Sequence, residues 1–281
     1  MLQQKVIISL LRLLAKLPLW VVHALGSLLG WITYLSIKKH ALLIKQNLRL
    51  SQLATNEISF KQILRRNVRE TGKALLETFA IWFKSYPSLK KLYRGCTGWE
   101  HVEKALNAKK GIIFLTPHLG CFEITSLYYG QFHPITVLYR PPRQPWLTPL
   151  IEEGRQRGQV SLAPANQQGV KQLLQALKRG EAIGILPDQA PYEGEGEWAP
   201  FFSKPAYSMT LASKLAEKTG AQVLMAFGER LSNGAGYHIH IKPIEAGGVS
   251  TPTLLNHEIE KMIAKCPSQY MWAYDRYKVR N

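Results

Sequence analysis

Two apolar blocks of different kind open the chain. Val6–Leu17 is apolar but carries Arg12 and Lys16, and Pro18 closes it. Leu19–Ile37 then runs 19 residues without a Lys, Arg, Asp or Glu. As a helix rising ~1.5 Å per residue it would span ~28 Å, close to the ~30 Å hydrocarbon layer of a bilayer. Gly26 and Gly30 form a GxxxG pair inside it, which permits close helix contact. Over residues 38–94 the apolar positions recur every three or four residues, predicting helices with a basic face, the second capped by Thr55 or Asn56. Beyond residue 95 short apolar runs at Gly111–Thr116, Ile135–Tyr139, Ala182–Leu186, Gln222–Phe227 and Tyr237–Ile241 predict strands. Between them Glu100–Ala108, Cys121–Tyr129, Pro145–Arg155, Gln168–Arg179, Ser208–Thr219 and Leu254–Cys266 read as helices. Such alternation predicts an α/β domain, a mixed central sheet flanked by helices. Pro187–Pro205, with its prolines and glycines, reads as a long surface loop. The pattern divides the chain into a membrane-associated helical segment over 1–37, a basic helical region over 38–94 and the α/β domain over 95–281.

Composition sharpens this picture in two places. At 281 residues, 46% hydrophobic and 20% charged, the chain is not intrinsically disordered. Cys96, Cys121 and Cys266 show no CxxC spacing, which speaks against a disulfide framework or a four-cysteine zinc site. Lys and Arg number 36 against 19 Asp and Glu, a formal charge of +17, of which the first hundred residues hold +12. A chain this basic meets something acidic: anionic lipid, a phosphorylated substrate or nucleic acid. A signal peptide fits the first block poorly, because Arg12 breaks it and the apolar run continues past Ala24-Leu-Gly26. The Leu19–Ile37 helix is therefore either membrane-embedded or a buried core helix, and basic residues at both flanks favour the membrane. The heavier flank follows the helix, so the rest of the chain belongs on the cytoplasmic side.

Candidate chemistry lies where the first strand ends, in Thr-Pro-His118-Leu-Gly-Cys-Phe-Glu123. Open α/β sheets place their ligand crevice at the carboxyl ends of strands. Pro117 helps to stop the strand and Gly120 permits a tight turn. On one ideal helix His118 and Glu123 would not share a face. They can meet if His118 sits in the loop and Glu123 in the first helical turn, the carboxylate then orienting the imidazole so that it can deprotonate a hydroxyl. Alone, H-x4-E is a weak signal, and a capping His beside a solvated Glu is the plainer reading. His238 and His240 alternate on a strand with no third ligand at useful spacing, so a metal site is not expected. Cys121 reads as a small packing residue rather than a nucleophile. Arg140, Arg143, Arg155 and Arg157 follow the strand-turn and could clamp phosphate or an oxyanion; Arg140 and Arg155 are the preferred pair.

Five ordered blocks resemble a known family: Thr-Pro-His118 to Glu123, Leu138-Tyr139-Arg140-Pro141, Gly184-Ile-Leu-Pro187-Asp188-Gln189, Phe201-Phe202, and Pro267-Ser-Gln269-Tyr-Met-Trp272-Ala-Tyr-Asp-Arg276-Tyr277-Lys278. Together with Lys45-Gln-Asn47-Leu-Arg49 they look like the late acyltransferases of lipid A biosynthesis, over nearly the whole chain. The resemblance implies a glycerolipid-acyltransferase-like fold on the cytoplasmic face of the bacterial inner membrane. It implies acyl transfer from acyl carrier protein, or less often acyl-CoA, to a hydroxyl of an anionic lipid A precursor, with no metal or cofactor. His118 would be the base, Glu123 its orienting carboxylate, and Arg140, Arg155, Asp188 and Gln189 substrate contacts. The chain departs from the family where Ala190-Pro191-Tyr192 follows Gln189, and at Tyr274, where a His is frequent. A glycerolipid acyltransferase acting on glycerol phosphate or lysophosphatidate is the alternative enzyme. Outside catalysis, the charge would suit a membrane-tethered binder of anionic lipid or nucleic acid; few aromatics interleave with the basic clusters, so no nucleic acid is expected.

Overall fold

The computed structural model describes residues 2–142 and 144–279. Five helices come first: α1 (Leu2–Lys16), α2 (Leu19–Ser36), α3 (Lys38–Leu50), the long α4 (Glu57–Phe83) and the short α5 (Tyr86–Lys90). The α/β region follows as β1 (Tyr93–Thr97), α6 (Trp99–Asn107), β2 (Ile112–Leu115), α7 (Phe122–Tyr129), β3 (Ile135–Tyr139), α8 (Thr148–Arg155), β4 (Val160–Pro164), α9 (Gln167–Lys178) and β5 (Ala182–Ile185). It closes with β6 (Gly196–Phe201), β7 (Lys204–Met209), α10 (Leu211–Thr219), β8 (Gln222–Arg230), β9 (Tyr237–Pro243) and α11 (Pro252–Lys265).

Seven strands form one sheet in the order β1-β9-β8-β2-β5-β3-β4. The run β8-β2-β5-β3-β4 is parallel, while β9 lies antiparallel to β8 and carries β1 with it. The sheet is thus mixed and flanked by helices, as the alternation predicts. β2 and β5 are buried at every position, which is why they read as continuous apolar runs. Alternate residues leave for opposite faces. Ile113, Leu115, Ile183 and Ile185 join one core cluster, whereas Ile112, Phe114 and Ala182 join the other.

Four strands, β1, β4, β6 and β7, escape the sequence pattern. β1 and β4 are the two sheet edges, partly exposed and without clean alternation. The expected loop over Pro187–Pro205 instead contains β6, paired with β7 as a hairpin. Its two turn residues, Phe202 and Ser203, have φ of 45° and 63° without being glycine. An Asn-Gly turn would have announced the hairpin. Here tertiary contacts hold the turn: the Phe202 ring packs on Trp272, and its N–H donates to the Glu260 carboxylate at 2.6 Å. The helix expected from Ser208 accordingly starts only at Leu211.

The amino-terminal helices are built on glycine. α2 and α4 run antiparallel with backbone against backbone. A Cβ on Gly30 would collide with the Val68 carbonyl, and one on Gly72 with the Gly26 carbonyl. The GxxxG pair therefore finds its partner within the same chain. Asn56 caps α4, accepting from the Ser59 N–H at 2.8 Å while the Ser59 hydroxyl accepts from Asn56 N–H in return.

Candidate active site

Leu115 of β2 and Ile185 of β5 are register partners, and each is followed by one residue and a proline. The next residue is His118 on one strand and Asp188 on the other. His118 Nδ1 lies 2.8 Å from Asp188 Oδ1, and the His118 backbone N–H donates to Asp188 Oδ2 at 2.9 Å. Asp188 is 2% exposed. Burial alone would raise its carboxyl pKa. The facing imidazole, by charge and hydrogen bond, and the backbone N–H more than offset this and hold it below the usual carboxylate value. With Nδ1–H given to Asp188, Nε2 keeps a lone pair, and Gln189 Nε2 lies 3.2 Å from it. The Phe122 ring packs against the imidazole, 4.8 Å between centroids.

This arrangement corrects the expected pairing. Glu123 is buried, but its carboxylate receives a fork from Arg155: Nε donates to Oε2 at 2.8 Å and Nη2 to Oε1. The carboxylate that meets His118 is Asp188, expected as a substrate contact. The physical reason is strand adjacency. Side chains at equal height on neighbouring parallel strands face each other, whereas Glu123 sits in the first turn of α7 and turns toward α8. Burial works against the Arg155 charge, but the charge and hydrogen bonds of Glu123 outweigh it and raise the guanidinium pKa. Arg155 also lies over the Trp82 ring, 5.5 Å from its centroid. Arg140 is exposed and stacks on Tyr192 at 4.4 Å. Arg157 is turned away from the site, capping carbonyls of α4 and its end at Ile81, Trp82 and Lys84. Arg143 lies outside the described residues.

The His118 turn is held from three sides. Met271 N–H donates to the His118 carbonyl at 3.1 Å, and Gly120 N–H to the Gln269 carbonyl at 3.1 Å. Cys121 N–H donates to the Gly228 carbonyl at 2.8 Å, and Leu119 N–H to the Pro117 carbonyl. The backbone N–H groups from His118 to Cys121 are therefore all engaged and are not free to serve as oxyanion donors. Arg230, 4% exposed, donates to the Gly120 carbonyl at 3.1 Å while pairing with Glu77 and Glu70. Behind the turn, Asn67 of α4 donates to the carbonyls of Ser268 and Tyr270, and Asn47 of α3 to those of Trp272 and Tyr274. Ala190 N–H donates to the Tyr274 hydroxyl at 3.0 Å, which brings together the two positions that the family resemblance singled out. These supports are polar groups far apart in sequence. Only the asparagines within otherwise apolar and basic helical faces could have hinted at them.

A cavity of about 1290 Å³ opens beside this pair. His118, Glu123, Arg140, Arg155 and Gln189 line it, and its inner wall is apolar, with Phe114, Tyr129, Ile135, Val137, Leu162 and Ile239. Lys171, Lys214 and Lys278 also border it. It joins a hydrophobic recess to a site with an imidazole and a fixed cation. Cys121 is 2% exposed, and burial pushes its thiol pKa well up, so the site offers no thiolate there.

Comparison with known proteins gives the family. The family model described as bacterial lipid A biosynthesis acyltransferase matches residues 3–279. The lipid A biosynthesis lauroyltransferase of Escherichia coli is 28% identical over 97% of this chain and 90% of its own length. The lipid A biosynthesis palmitoleoyltransferase of Escherichia coli is 26% identical over the same shares. A lipid A biosynthesis acyltransferase of Haemophilus influenzae is 27% identical over 97% of this chain and 89% of its own. With a family model spanning nearly its full length, this chain belongs to the bacterial lipid A biosynthesis acyltransferases.

Proposed function

We propose that the protein transfers a fatty acyl chain from an acyl-carrier-protein thioester, with acyl-CoA as the lesser donor, to a hydroxyl of a lipid A precursor. The observation that carries this reading is His118, held through Nδ1 by a buried Asp188, with Nε2 at the cavity. The acceptor hydroxyl displaces Gln189 at Nε2 and gives its proton to the imidazole as its oxygen attacks the thioester carbonyl. Asp188 remains ionised and stabilises the imidazolium. Arg155, kept charged and oriented by Glu123, supports the oxyanion of the tetrahedral intermediate. When the C–S bond breaks, Nε2–H returns the proton to the departing thiolate. The acyl chain lies in the apolar recess, and Arg140 with the three bordering lysines meets the phosphate charge of the acceptor.

The work is placed on the cytoplasmic face of the inner membrane, where the basic amino-terminal helices face anionic lipid. The test is an assay of purified protein with an acyl-carrier-protein thioester and lipid A precursor, read by mass spectrometry. A gain of one acyl chain, lost by at least ~10²-fold in His118→Ala, is the expected result. Acylation of lysophosphatidate but not of lipid A precursor would move the reading to glycerolipid synthesis. Near-normal turnover by His118→Ala would remove the imidazole from the mechanism.

A further inference from the structure

α2 has the length and composition of a membrane span, yet its contacts run along the protein from end to end. Its buried residues, Leu19, Val22, His23, Gly26 and Gly30, form a single stripe. At the amino-terminal end, the backbone of Trp20 lies against Gly234 in the turn between β8 and β9. One turn further, His23 Nε2 is 3.0 Å from Glu77, the same carboxylate that takes Arg230 of β8. Gly26 and Gly30 follow, sealed against Gly72 and Val68 of α4. At the carboxyl-terminal end, Tyr34 packs on the core cluster that Ile44 and Leu48 of α3 and Phe60 of α4 share with the sheet. α2 is thus docked along its length on α4, and its amino-terminal end also rests on the β8–β9 turn.

The opposite stripe is apolar and bare. Trp20, Leu25, Leu28, Ile32 and Leu35 are between 44% and 74% exposed. Beside them the surface is basic: Lys38 and Lys39 begin α3, and Arg65, Arg66 and Arg69 are exposed on α4.

We propose that α2 lies flat in the interface of an anionic leaflet, docked on α4 along its length and on the β8–β9 turn at its amino-terminal end, and does not cross the bilayer. A crossing helix would carry its first turn and the β8–β9 turn packed on it to hydrocarbon depth or beyond, where irregular polar backbone is expelled. A flat helix buries its bare stripe among acyl chains and leaves Arg65, Arg66 and Arg69 at the phosphates. The occupant of the stripe is thus a bilayer surface of negative charge, the chemistry that matches both the apolar row and its basic border. This rests on the reading that the protein acts on a membrane lipid, and it adds how the protein is seated there.

The test uses full-length protein with Cys96→Ser and Cys266→Ser, reconstituted in phosphatidylethanolamine–phosphatidylglycerol vesicles. Single cysteines replace Leu25, Leu28, Ile32 and Leu35, all outside the protein's packed surfaces, and carry nitroxide labels whose depth is read by oxygen and nickel relaxation. A crossing helix steps ~1.5 Å in depth per residue, ~15 Å from Leu25 to Leu35. A flat helix gives four depths within ~5 Å, all below the phosphates. A monotonic gradient overturns the proposal, and so do labels that remain in water. In vesicles of phosphatidylcholine alone, partitioning is expected to fall at least ~10-fold; unchanged partitioning overturns the anionic surface as the occupant. Acyl transfer measured on the same samples separates the two readings. Flat labels without lipid A acylation refute the function alone, and acylation with a depth gradient refutes the seating alone.

Discussion

His118 and Asp188 stand at the same height on adjacent parallel strands, each three residues past a register pair, Leu115 and Ile185. Their 2.8 Å contact follows from the sheet itself. Asp188→Asn keeps the shape but replaces the acceptor for Nδ1–H with an amide that can present the wrong group, so the imidazole loses its tautomer. A fall in kcat of about 10²–10⁴-fold with KM within a few-fold is expected from steady-state kinetics. Equal losses in both constants would mean that Asp188 serves binding instead.

Glu123 acts through Arg155, and double-mutant cycles can show it. Glu123→Gln and Arg155→Met should each slow turnover by about 10–10²-fold, and the pair together should cost little more than either alone. Glu123→Gln combined with Asp188→Asn should instead be close to multiplicative, because no shared hydrogen bond links those carboxylates to one partner. Arg155→Lys should rescue poorly, since a point charge cannot reproduce the fork on Glu123. Coupling of Glu123 to Asp188 stronger than to Arg155 would restore the H-x4-E pairing.

Gly184 faces the cavity, and a Cβ built on it would come 3.2 Å from Val137 Cγ2 and 3.7 Å from Ile135 Cδ1. Gly184→Val should shorten the recess and shift donor preference toward shorter chains. Each methylene left unburied is worth ~0.8 kcal/mol, so two are worth about 10-fold in relative kcat/KM. Competition between two acyl thioesters differing by two carbons measures the shift; an unchanged ratio would place the chain elsewhere.

Glu77 is 1% exposed, and its carboxyl pKa is lowered to about 2. Burial would raise it, but Arg230 by charge and hydrogen bond, with help from His23, brings it down. A lowered folded-state pKa adds stability that is complete above the unfolded value of 4.5 and disappears as pH falls toward about 2. The thermal midpoint should thus drop as pH goes from 6 to 3. Glu77→Gln should be less stable at pH 6, by about 3–5 kcal/mol for a buried cation left unpaired, with a shallower acid slope. Parallel slopes for the two proteins would assign the acid sensitivity to other carboxylates.

The helix pair at the amino terminus gives a fifth test. Gly72→Leu forces α2 off α4, because the Gly26 carbonyl and the Gly30 backbone occupy the space the side chain needs. Proteolysis between residues 36 and 57 should accelerate and the thermal midpoint fall, while surface Leu75→Ala leaves both unchanged within ~0.5 kcal/mol.

Much of this molecule was legible in the chain. Strands β2, β3 and β5 are continuous apolar runs because both sheet faces are covered, and a run of that kind needs no partner to be recognised. The turn after β2 announces itself through Pro117, Gly120 and His118, all local requirements. The apolar stripe of α2, its GxxxG and the Asn56 cap are likewise written in short spacing. The tertiary structure decided what lies opposite what. A sequence places Glu123 five residues from His118 and Asp188 seventy away, yet hydrogen bonding depends on height across a sheet and not on distance along the chain. The one textual trace was the repeated strand-x-Pro ending of β2 and β5. The same holds for Arg230 beneath Gly120, Asn47 and Asn67 behind the carboxyl-terminal block, and the β6–β7 turn without glycine. Each is a polar or strained element whose cost is met by partners from distant elements, so local propensity is silent about it.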